Sequence, residues 1–137
     1  MSSTNLELVA SYEEIRAIGP WLLEVLEPLG PTSAGANAGP IELAVHELAT
    51  NSIDHAGCTT ISIDAELGDG VLDVVLADNG QAFAGRAEPA PTEPQVRGYG
   101  LMIIEQLADS IEYERADSSN SWKVRFVLHD SDAVSGR

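Results

Sequence analysis

The chain is poor in cysteine, in basic side chains and in long apolar runs. A single cysteine, Cys58, excludes an internal disulfide and makes a reducing cytoplasm the expected setting. Only 7 Lys and Arg stand against 22 Asp and Glu, for a net charge of -15 and a pI near 4.2. Such a chain repels a phosphate backbone, so direct nucleic-acid binding is not expected. No apolar stretch nears the ~20 residues a membrane span needs, and the first residues, MSSTNLELVA, lack a basic region followed by an apolar one. A membrane partner is therefore not expected either. An acidic protein can still hold a nucleotide where a cation and backbone dipoles neutralise the phosphates.

What is present is ordinary for a globular domain: 137 residues, 44% hydrophobic and 21% charged, enough for one domain with its own core. Residues 5–10 alternate as a short strand does. Ser11 with Glu14 reads as a capping box opening a helix over 12–29. The Gly-, Pro- and small-residue-rich segment 30–40 reads as a loop. A second helix is expected over 41–56, with Ile41, Ala44, Val45, Leu48, Ser52 and Ala56 on one face and Gly57 as its stop. Residues 59–67 and 71–77 flank the turn GDG as a β-hairpin. A loop over 78–98 leads to a helix over 101–110. A second hairpin follows, 111–116 and 122–128 around DSSNS, with a frayed tail from His129. Locally paired strands with fewer helices predict an α+β two-layer sandwich, a mixed and mainly antiparallel sheet with about three helices on one face.

Three stretches carry candidate chemistry. The first, 46-HELATNSIDH-55, has the ingredients of a zinc-protease helix, but that motif needs a second His four residues after the first, and Thr50 stands there. His55 and Cys58 have no third and fourth partner to complete a zinc site. The stretch does place Glu47, Asn51 and His55 at four-residue steps, one polar stripe along a helix. A solvated helix flank is the plain alternative, although no Lys or Arg on this helix is available to pair with Glu47. The second stretch, 78-DNGQAF-83, is either an ordinary Asp-Asn-Gly turn or a carboxylate at a strand end. In the latter case Asp78 accepts a hydrogen bond from a ligand amine and Gly80 permits close backbone approach. The third, 97-RGYGLMII-104, is neither the dinucleotide fingerprint, since Ile103 occupies the third Gly position, nor a Walker A loop. Two glycines opening a helix nevertheless leave N–H groups and a positive dipole end that suit a phosphate. A plain helix-entry loop is the competing reading.

In this order, and on these elements, the three stretches resemble the GHKL ATP-binding superfamily of gyrase, histidine kinases and MutL. Within it the chain looks most like the anti-sigma-factor serine/threonine kinases of bacterial partner-switching pathways. The resemblance covers residues 6–128. It implies ATP and Mg²⁺ as cofactors, Glu47 as general base, Asn51 as the Mg²⁺ ligand, and His55 at a position where these kinases carry His. It further implies Asp78 at the adenine amino group with Gly80 beside it, and a lid over 84–97. Gly98, Tyr99, Gly100 and Leu101 would meet the phosphates, with Arg97 and Arg86 adding positive charge. The implied partners are an anti-sigma-factor antagonist of the STAS type, a sigma factor, and a second copy of the chain as a homodimer. Two positions depart from the pattern. Ala82 stands where the adenine box carries a second Gly, and the last strand lacks an evident Thr near the nucleotide, the nearby residues being Ser121, Trp122 and Lys123. A non-catalytic docking module is the alternative that Ala82 keeps open. A histidine kinase would need dimerisation helices and a phosphoacceptor domain, and a stand-alone ATPase would need a transducer region, for which this chain has no room.

Overall fold

Strand-forming alternation and two tight turns build the sheet. The computed structural model describes residues 2–81 and 102–129. Among these, the strands are β1 (Ser2–Val9), β2 (Thr60–Gly68), β3 (Val71–Asp78), β4 (Ser110–Ala116) and β5 (Ser119–Val127). They form one five-stranded sheet in the order β1-β2-β3-β5-β4, and every pairing is antiparallel. The β2–β3 hairpin closes through Asp69 and Gly70, both at positive φ (56° and 75°), the backbone twist that a two-residue hairpin turn needs. The second hairpin closes in the same way at Asp117 and Ser118 (φ 53° and 67°), so its turn is shorter than the five residues DSSNS and β5 begins at Ser119 rather than 122. Asp tolerates this left-handed backbone better than most residues.

One face of the sheet is apolar. Leu8, Ile61, Ile63, Leu72, Leu76, Trp122 and Phe126 share a single core with Ile15, Leu22, Val45, Leu48 and Ile104 from the helical layer. That layer holds α1 (Ile18–Val25), α2 (Pro31–Asn51) and α3 (residues 102–107). The architecture is therefore the expected α+β two-layer sandwich, with a sheet that is antiparallel throughout the described residues.

α3 stops at residue 107 rather than 110, where β4 has already begun, and the other helix boundaries depart from expectation in three places. The span 12–29 is not one helix but a 3-10 turn (Glu14–Ala17), α1, and a second 3-10 turn (Glu27–Leu29). Only half of the capping box forms: Ser11 Oγ accepts the Glu14 N–H at 3.0 Å, while the Ser11 N–H donates to Val9 O. Pro20 is tolerated in the first turn of α1, and Pro28 cannot extend it. Segment 30–40 is not a loop; it is the first half of α2, with Pro31 at a position where its missing N–H is not needed and Pro40 inside the helix. Burial overrides propensity there. Ser33, Ala34, Asn37 and Ala38 are all buried. The Asn37 amide donates to Ser33 O and His129 O and accepts the His129 N–H, each at 2.8 Å. That clamp also fixes His129, where fraying was expected to begin. The third departure is the end of α2: regular α-helix stops at Asn51, and Ser52–Ala56 form a π-turn before Gly57 ends it in the left-handed conformation. No helix among the described residues is long and apolar enough to cross a membrane.

Candidate functional site

The site is assembled where the C-terminal end of α2 meets the exit of β3. Apolar periodicity buries Ile41, Ala44, Val45 and Leu48 against the sheet. This sets Glu47 half-buried at the edge of that face and Asn51 buried at 6% exposure. The change to π geometry follows immediately after Asn51. Its i→i+5 pattern breaks the four-residue stripe, so His55 is carried by a wider turn rather than by a continuation of the α-helix. His55 is half-buried. π-turns inside helices are frequent at functional sites because they re-aim side chains.

Asp78, the last residue of β3, is buried at 4% exposure. Its Oδ1 accepts two hydrogen bonds, from the Gly80 N–H and from Asn120 Nδ2, both at 2.8 Å. Its Oδ2, the Asn51 Nδ2 and the Ser52 Oγ are buried without a hydrogen-bond partner among the described residues. Each such orphan costs about 1–3 kcal/mol. A free carboxylate oxygen calls for a donor, and a ligand amine supplies one. An amide turned about its last torsion offers oxygen where nitrogen stood, so Asn51 fits a hard cation such as Mg²⁺. No three His, Cys, Asp or Glu side chains among the described residues cluster to hold a metal by themselves. A cation here would thus be held by Asn51 together with phosphate and water oxygens, the coordination Mg²⁺ favours.

Two loops far apart in sequence are stapled to each other at this point. The Gln81 N–H donates to Ala56 O at 2.7 Å, and Asn79 Oδ1 accepts the N–H groups of Thr59 and Thr60 at 2.8 and 3.1 Å. A Cβ on Gly80 would lie 2.4 Å from Ala56 O, so the close approach that Gly80 permits is to the end of the π-turn. Tyr12 closes the other side by donating its hydroxyl to the Asp54 carboxylate, a bond that raises the phenol's pKa. Cys58 belongs to the same junction: Sγ lies 3.4 Å from Ser52 O, and burial followed by the Asp78 charge pushes the thiol up to about 11. It is neutral at physiological pH and is no nucleophile. A hollow of about 500 Å³ lies beside Asp78, lined in part by Glu7, Glu14, Ser62, Asp78 and Asn79.

Of the residues singled out from sequence, Glu47 and Asn51 lie on α2, His55 on the π-turn that follows, and Asp78 and Gly80 at the exit of β3 that packs against the end of that turn. Ala82, Arg86, Arg97, Gly98, Tyr99, Gly100 and Leu101, and the segment 84–97, lie outside the described residues. Ser121 and Lys123 project from the open face and Trp122 into the core, while Asn120 stands directly opposite Asp78 in the β3–β5 register. Sequence reading passed over Asn120, together with Tyr113 and Arg115, which bond to its side-chain oxygen. The signal was the Asp-Ser pair at 117–118, which starts β5 early enough to include Asn120.

Residues 8–128 match the profile of the histidine kinase-like ATPase domain. Among solved structures, the fold superposes on the RsbU and RsbW domains of a Mycobacterium tuberculosis protein with a TM-score of 0.69 at 20% identity, covering 93% of this chain and 33% of that one. The Acinetobacter baumannii histidine kinase AdeS gives 0.52 at 12% identity, over 94% of this chain and 70% of its own. A blue-light activated histidine kinase of Erythrobacter litoralis gives 0.52 at 22% identity, over 73% and 32%. At these identities the likeness is one of fold, and the chain spans about a third of the first of these structures. No curated protein matches it.

Proposed function

The chain belongs to the histidine kinase-like ATPase domain family, and from that premise we propose that it is a Mg·ATP-dependent serine/threonine protein kinase of a partner-switching pathway. In this reading it phosphorylates an anti-sigma-factor antagonist of the STAS type, binds a sigma factor, works in the cytoplasm and acts as a homodimer. The observation that carries the nucleotide part is that two buried, unsatisfied atoms, Asp78 Oδ2 and Asn51 Nδ2, lie on the two segments that the Gln81–Ala56 bond ties together, the exit of β3 and the end of α2 with its π-turn. The RsbW domain within the first structural neighbour is consistent with the switching role.

Each residue has a role that its position permits. Asp78 Oδ2 accepts a hydrogen bond from the base's amino group and so orients the nucleotide. Asn51 would hold the cation by its amide oxygen. Glu47, one turn before Asn51 on α2, accepts the proton of the attacking hydroxyl or aligns it. Mg²⁺ would supply neutralisation of the charge that spreads over the phosphoryl oxygens. Phosphoryl transfer needs little else beyond such positioning. Glu47→Gln is the test: transfer from labelled ATP to candidate antagonists falls by at least ~100-fold with nucleotide binding retained, the usual loss of a general base. Equal transfer by variant and wild type would remove the kinase claim.

Ala82, where a second Gly is the rule, favours a second reading, a docking module without catalysis. Calorimetry separates the two: absence of binding at millimolar Mg·ATP selects the docking module.

A further inference from the structure

Recognition by Asp78 depends on which of its two oxygens is free, and one row of the sheet decides that. Asp78, Asn120 and Arg115 are consecutive partners across β3, β5 and β4. Asn120 is fully buried, at 0% exposure. Both N–H bonds of its amide are committed, one to Asp78 Oδ1 at 2.8 Å and one to Gln81 O at 2.6 Å. Its oxygen accepts from the Tyr113 hydroxyl and from Arg115, the latter at 3.2 Å, and the same Arg115 nitrogen donates to Gly80 O at 2.7 Å. Turning the amide over would face its oxygen with two acceptors and its NH₂ with a guanidinium, which cannot accept. The orientation is therefore locked.

With Asn120 locked, Asp78 Oδ1 is saturated by two donors, and Oδ2 alone is left, buried and unpartnered. Asn120 has no hydrogen left for a ligand. We propose that Asn120 is a positioning residue, braced by Tyr113 and Arg115, which fixes the Asp78 carboxylate so that a single acceptor faces the ligand. This selects a purine with an amino group over one with a carbonyl at the same place. The inference rests on the nucleotide reading above and adds to it the device that sets base choice. A carbonyl would face the lone acceptor with another acceptor and leave a buried charge unpaired, a mismatch that sites of this kind reject strongly.

The experiment compares ATP with inosine triphosphate, by calorimetry in Mg²⁺, on the full chain and on Asn120→Leu, Asn120→Thr and Tyr113→Phe. Amide exchange at Gly80 is followed by NMR in parallel. The wild type is expected to prefer ATP. Asn120→Leu, similar in volume but without a donor, should lower ATP affinity about tenfold, leave inosine triphosphate unchanged and speed Gly80 exchange. Asn120→Thr restores a hydroxyl donor and recovers part of the preference. Tyr113→Phe, the milder change if the Leu variant does not fold, moves the ratio less and in the same direction. If both nucleotides weaken equally in the variants, or the ratio does not move, Asn120 is only structural and the proposal is overturned. A wild type that binds neither nucleotide sinks the nucleotide reading itself, and base selection with it. That outcome is distinguished by appearing in the unaltered chain.

Discussion

At the scale of single residues, the junction between the π-turn and the β3 exit concentrates polar groups in a dry place. Asp78 is tolerable there as a buried carboxylate because one of its oxygens is held by two N–H donors. Cys58 shares the junction and shows the local field most directly. Its thiol is raised to about 11, first by burial and then by the negative charge of Asp78. A group whose pKa rises on folding contributes stability that is fully present below its unfolded value and is lost as pH climbs through the folded one. The protein should therefore lose stability between about pH 9, the ordinary thiol value, and about pH 11, whereas Cys58→Ala should be flatter over that window. Denaturant midpoints measured at half-unit steps give the comparison; parallel curves for the two proteins would show that the thiol does not titrate as described. Disulfide reagents at pH 8 should likewise modify Cys58 more slowly in the folded protein than in the unfolded one.

At the scale of elements, α2 is where local preference and tertiary context disagree. Gly35, Gly39 and Pro40 argue against helix, at about 1 kcal/mol for each glycine and about 3 for an interior proline. The segment is helical because Ala34, Ala38 and Asn37 are buried and Asn37 ties the helix to the end of β5. Pro40 is exposed and makes none of the hydrogen bonds of that clamp, so Pro40→Ala is expected to stabilise the protein by on the order of 1–3 kcal/mol in urea unfolding. A loss of stability would mean that the proline sets a bend α2 requires. The same competition explains what could be read in advance. The hairpin of β2 and β3, the apolar face from Ile41 to Leu48 and the polar positions Glu47, Asn51 and Asp78 are local patterns, and each was legible. The helical state of 30–40 depends on a partner at His129, and the role of Asn120 on a register set by a two-residue turn. Neither partner is near in sequence. The π-turn after Asn51 has no composition signal at all; it accompanies the hydrogen bond that Ala56 O accepts from the Gln81 N–H.

At the scale of the whole molecule, a chain of net charge -15 is an unusual host for a polyanion. Among the described residues, Arg125 is paired with Asp73 at 2.8 Å, and Arg115 is engaged with Gly80 O and Asn120. Lys123 stands on the open face of the sheet, opposite the site. Free ATP should be repelled at long range, and the Mg²⁺ complex, with half the charge, much less so. Salt should therefore act against the usual direction. Raising KCl from about 0.01 to 0.15 M shortens the Debye length from about 30 to 8 Å, and should strengthen binding of Mg-free ATP while changing Mg·ATP binding little. Thermal shifts give a parallel reading, since a ligand at about 100 times its Kd stabilises by ~2.7 kcal/mol. Mg·ATP should raise Tm, but MgCl₂ alone, matched in ionic strength with KCl, should not, because the described residues carry no carboxylate cluster to hold the ion without phosphate. A rise with MgCl₂ alone would place a cation site in the protein itself. ATP binding that weakens with added KCl would mean that local positive charge at the phosphates outweighs the field of the whole chain.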